Sequence, residues 1–168
     1  MNSSSILKGG LLTLFFISGV PALFYQIIWQ MHLTTIFGVH SESVAIIVGA
    51  FMFGLGLGSL LGGEISARWK YSPYLLFAGI ECLVGVFGFF SLQLFDWVGS
   101  QTTSAGVMGG GVATFLLVVI PTALMGATLP ILANALIAHS HNVGVSVGIL
   151  YFVNTLGSAC AAVSSIAL

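Results

Sequence analysis

Charge is the scarcest property of this sequence. Only 4% of its 168 residues are Asp, Glu, Lys or Arg, where a soluble domain carries about 25%. Three basic and four acidic side chains cannot cover the surface of a water-soluble globule, so a soluble enzyme is excluded. With three Lys/Arg there is no basic patch for phosphates, which excludes a nucleic-acid-binding domain. A 58% hydrophobic content excludes a disordered tail. Cysteine is scarce too. Cys82 and Cys160 lie in apolar stretches without CxxC spacing or flanking ligands. They are expected to be small buried side chains, and they do not report a redox compartment. No strand pattern occurs anywhere, so no Gly-rich segment has the strand–turn–helix context of a nucleotide loop.

What remains is uninterrupted apolar chain, with a mean hydropathy of +1.14. No charge falls between Lys8 and Glu42 or between Glu42 and Glu64, and none follows Asp96. A helix crossing the hydrocarbon core needs about 20 mostly apolar residues. The sequence therefore predicts an all-α, polytopic transmembrane helical bundle of about five spans in a single domain, 1–168. The predicted helices cover about 9–37, 43–65, 73–97, 109–138 and 143–168. The first begins like a signal peptide, with Lys8 before an apolar run, but its apolar character continues to Phe37. It is read as a helix that stays in the membrane.

Within the first helix, Pro21 predicts a kink. Tyr25, Gln26, Trp29, Gln30 and His32 follow it. Spacings of three and four put Tyr25, Gln26 and Trp29 on one face. That face is suited either to a cavity for an amine held against aromatic rings, or to interhelical hydrogen bonds and an interfacial aromatic belt. Ser41 and Ser43 are candidate N-caps for the second helix. In that helix Gly54, Gly58 and Gly62 recur every fourth residue and form a smooth face for close helix packing. The same face is also suited to sliding during a conformational cycle. Pro121 and Pro130 predict a bent or broken fourth helix.

Glu81 is the most informative single residue, a carboxyl group about two turns into the third helix. It is read either as a cation or proton site or as a neutral, hydrogen-bonded link between helices, and it is close enough to one end to snorkel. Asn134 and Asn154 can bridge helices by hydrogen bonds. Glu64 and Arg68 are spaced for an ion pair. His139 and His141 lack a third ligand for a metal. No catalytic, cofactor or metal site is expected.

Lys8, Arg68 and Lys70 fall on one side if the spans alternate, which predicts a cytoplasmic N-terminus. Leu168 then ends the chain on the outer side with no polar tail. The chain is accordingly expected to be one part of a larger membrane unit or to have another polypeptide as partner.

Four segments occur in a familiar order. They are Phe16–Gly19 leading to Tyr25–Trp29, then Phe51–Gly63, then Pro121–Pro130, and finally Tyr151–Ser158. Together they resemble the membrane region of bacterial membrane-bound spermidine-synthase-like proteins of the polyamine aminopropyltransferase family. That region is similar to the major facilitator transporters. Gly63–Arg68 resembles the facilitator loop G-x-x-x-D-R, with Ala67 in place of the acidic residue. The resemblance implies a bacterial inner-membrane location and a part of a facilitator-type fold. It implies a membrane module without the family's soluble transferase domain, and therefore no enzyme on this chain. It leaves three roles open. The chain can handle a polyamine or another small cation, pack as an accessory subunit against a larger membrane complex, or anchor a separate soluble transferase.

Overall fold

The computed structural model describes residues 3–37, 41–102 and 106–165, and five helices account for nearly all of them. They are α1 (Ser3–Phe37), α2 (Ser41–Arg68), α3 (Pro73–Thr102), α4 (Gly106–Ser140) and α5 (Val143–Ser165). No strand is present among the described residues. Each helix contains a stretch long and apolar enough to cross a membrane, from 23 residues in α5 to 30 in α4. The helices overrun most of the boundaries expected from sequence, because polar residues such as Ser3–Ser5, Ser66, Arg68 and Gln101 extend the terminal turns. Ser41 and Ser43 open α2, but their side chains lie outside the described residues.

The helices are apolar on every side, as expected where the surrounding solvent is hydrocarbon. Leu60 and Phe89 are each 75% exposed and Val163 is 70% exposed, positions that would be unfavourable in water and are ordinary against lipid. The same solvent corrects the expectation for the cysteines. Cys82 and Cys160 both face outward, because an apolar neighbourhood in a membrane protein does not imply the interior.

Two pairs of helices carry the closest packing. Along α2, Gly54 lies against Thr122, Gly58 against the backbone of Ala123, and Gly62 against Ala127. Gly126 of α4 lies in turn against the backbone of Leu55. A side chain at Gly58 would occupy the space of the α4 backbone, which only a glycine avoids. Asn134 Nδ2 donates to Ser66 Oγ at 3.0 Å further along the same pair. The contacts ascend both helices together, so α2 and α4 run in the same direction. The second pair is α1 with α5, where Gly157 lies against the Phe16 carbonyl and Ser158 Oγ donates to the Gly19 carbonyl at 3.0 Å.

α1 and α3 also run in the same direction, in a nearly constant register. Phe15 meets Phe77 edge-on, Ser18 bonds Glu81, Trp29 bonds Ser91 and His32 pairs with Asp96 at 3.0 Å. The register places polar groups of one helix opposite polar groups of the other.

α4 runs unbroken through Pro121 and Pro130, so of the bent or broken helix expected, the break does not occur. Each proline removes one backbone donor. Thr122 and Thr128, near the two prolines, donate to carbonyls of the preceding turn: Thr122 to Val118 at 2.8 Å and Thr128 to Met125 at 2.6 Å.

The α4–α5 connection is tight. His141 adopts a left-handed φ of 54°, and its amide bonds the Ile137 carbonyl at 2.8 Å, closing α4. The Asn142 side chain then caps α5 by accepting from the Val145 amide at 3.1 Å. Glu64 and Arg68 form the expected ion pair at the end of α2. The segment Gly63–Arg68 is therefore the last helical turn rather than a loop.

Candidate functional site

Two apolar clusters build the interior. One gathers Phe15, Phe77, Val84, Ile131, Leu132 and Leu150. The other surrounds Trp29 with Leu33, Ile47, Phe51, Phe95 and Val118. Met125 packs against both. Where the clusters meet, a cavity of about 170 Å³ opens, with walls from all five helices. Its polar lining is Ser18 and Gln26 of α1, Glu81 of α3, Thr128 of α4, and Asn154 and Ser158 of α5. Phe51, Leu55, Val84 and Met125 supply apolar wall.

Glu81 is the acidic member. It stands eight residues after Pro73, roughly 12 Å along α3 at 1.5 Å per residue. Its side chain is half-buried, and its Oε1 accepts a 2.6 Å hydrogen bond from Ser18 Oγ. A carboxyl group at this depth must face the bundle interior or a polar cavity, and here it does. Asn154 stands eleven residues into α5, roughly 16 Å from Val143. Among the described residues, no hydrogen-bond partner engages the side-chain amides of Gln26 and Asn154, and Asn154 Oδ1 packs against Gly19 of α1. Ser158 donates to carbonyl oxygens of Gly19 and Asn154.

The residues singled out from sequence are thus divided. Gln26, Glu81 and Asn154 come together in the cavity. Tyr25 and Trp29 do not line it. Trp29 is 1% exposed, donates its Nε1–H to Ser91 Oγ at 2.9 Å, and is enclosed by Tyr25, Phe51, Phe87 and Phe95. Tyr25 stacks on Trp29 and packs its phenol over Gly88. Both faces of the tryptophan ring are covered by protein. Asn134 lies on the exposed side of the α2–α4 contact with Ser66. Gly54, Gly58 and Gly62 shape the α2–α4 interface behind the cavity wall. Among the described residues no group of three His, Cys, Asp or Glu is placed to hold a metal. The side chain of His139 lies outside them.

Sequence reasoning passed over Ser18, Thr128 and Ser158 as site residues. Single hydroxyls are common in apolar helices, where they usually bond their own backbone. The signal that finds Ser18 is its separation of 63 residues from Glu81, shared within one residue by Trp29–Ser91 and His32–Asp96.

Comparison with known proteins adds no identity. No family model, curated protein or solved structure matches the chain.

Proposed function

We propose that this chain is the integral-membrane module of a spermidine-synthase-like protein and that its cavity binds a small organic cation of the amine class, polyamines included. The observation that carries the reading is the placement of Glu81. Among the described residues it is the one carboxyl group lining the cavity, and it shares that cavity with the amide side chains of Gln26 and Asn154. A cation entering the bilayer loses its hydration, and a carboxylate with neighbouring dipoles offsets that loss where an apolar wall cannot.

The four segments that carry the family resemblance support the same reading. The first contributes Ser18 and Gln26 to the cavity, and the second contributes Phe51 and Leu55. The third contributes Met125 and Thr128, and the fourth Asn154 and Ser158. Segments far apart in sequence thus meet around one space. Lys8, Arg68 and Lys70 support a bacterial inner-membrane orientation with the N-terminus in the cytoplasm.

The test is binding of amines, spermidine among them, to protein reconstituted in vesicles, with Glu81→Gln and Glu81→Leu alongside. The reading expects saturable binding that Glu81→Gln abolishes while folded yield is kept. No amine binding by the unmodified protein, with Glu81→Gln tolerated and Glu81→Leu poorly folded, would leave Glu81 as a structural link between α1 and α3.

A further inference from the structure

The cavity's charge count and size narrow the ligand. Resting on the amine-binding reading above, we infer that the site takes a monocation, a short aliphatic primary amine, in preference to a diamine or a polyamine.

Three observations lead there. First, among the described residues the cavity lining holds a single carboxyl group, Glu81. The other carboxyl groups with described side chains, Glu64 and Asp96, are exposed and already paired with Arg68 and His32. A second ammonium drawn inside would find no counter-charge, and an unpaired charge away from water is strongly disfavoured. Second, the lining matches one ammonium group. A primary ammonium offers three N–H donors. Glu81, Gln26 and Asn154, each with a side-chain acceptor oxygen, line the same cavity, and Ser18 holds Glu81 Oε1 while no hydrogen bond engages Oε2 among the described residues. Third, the remaining wall is apolar and small. Phe51, Leu55, Val84 and Met125 suit an alkyl chain. A dry cavity of about 150 Å³ accommodates benzene, a six-atom ring, so the 170 Å³ here suits a molecule of similar size. A polyamine of the length of spermidine would have to leave part of its chain, with its second charge, outside.

The discriminating comparison is between pentylamine and 1,4-diaminobutane. They have equal numbers of non-hydrogen atoms and differ in whether the far end is a methyl or an ammonium. Their binding to the purified full chain in nanodiscs is measured by calorimetry, with protein-free nanodiscs subtracted and with spermidine as a third ligand. The expected result is tenfold or tighter binding of pentylamine over both others, with loss of pentylamine binding in Glu81→Gln. Equal or tighter binding of 1,4-diaminobutane or spermidine overturns the monocation inference and leaves the amine site standing. Absence of binding by all three overturns the amine site itself.

Discussion

Ser18 Oγ of α1 donates a 2.6 Å hydrogen bond to Glu81 Oε1 of α3, inside the cavity that all five helices line. The bond fixes the carboxylate from the side and leaves its second oxygen available. It also joins two helices that run in the same direction. Ser18 is therefore a positioning residue for Glu81 as well as a link in the bundle.

Ser18→Ala should fold and lose one interhelical hydrogen bond. The expected destabilisation is about 0.6 kcal/mol and at most about 1.7 kcal/mol, the range found for such bonds in membranes. Reversible unfolding in mixed micelles measures it. A double-mutant cycle with Glu81→Ala, which removes the acceptor, should show coupling between the two positions. Strict additivity would mean that the bond contributes nothing in the membrane.

Gly58 and Gly56 separate the two faces of α2. A side chain at Gly58 would collide with the Ala123 backbone, whereas Gly56 has open space. Gly58→Leu is expected to reduce monodisperse protein in size-exclusion chromatography severalfold, and Gly56→Leu to leave it near the original level. Equal tolerance of the two substitutions would refute the close α2–α4 contact.

Trp29 is expected to behave as a packing residue. Trp29→Ala should cost about 3–5 kcal/mol, as for other large buried aromatics. Ser91→Ala, which removes the acceptor of the indole N–H and a donor to the Gly88 carbonyl, should cost about 1–3 kcal/mol. Amine affinity per folded molecule should be unchanged in Trp29→Phe, because the ring does not line the cavity. A marked loss of affinity in a well-folded Trp29→Phe protein would place the ring in contact with ligand.

Topology is accessible to thiol labelling once the outward-facing Cys82 and Cys160 are replaced by alanine. Ser72 precedes α3, Gln101 lies in its last turn, and both are exposed. In intact cells a membrane-impermeant reagent should label Gln101→Cys and spare Ser72→Cys. The reverse pattern would invert the orientation drawn from Lys8, Arg68 and Lys70.

The sequence by itself determined the number of spans. Apolar length is set by bilayer thickness, and five stretches are long and apolar enough to cross, the third of them despite Glu81 and Asp96. It also determined the glycine spacing of α2 and the ion pair at Glu64 and Arg68, because both depend only on helical periodicity within one element. Glu81 stood out for its cost in hydrocarbon. Only the tertiary structure decided which faces turn inward. In water, contrast between polar and apolar residues orients a helix, but here lipid and interior are equally apolar, so the contrast is absent. Cys82 and Cys160 faced outward and Trp29 became core for that reason. The tertiary structure also selected partners, setting Ser18 opposite Glu81 and gathering Gln26 and Asn154 beside it while leaving Asn134 at the edge. Those choices follow from the α1–α3 register and from close contacts at Gly58 and Gly157, where backbones approach closely enough to fix how one helix is rotated against the next.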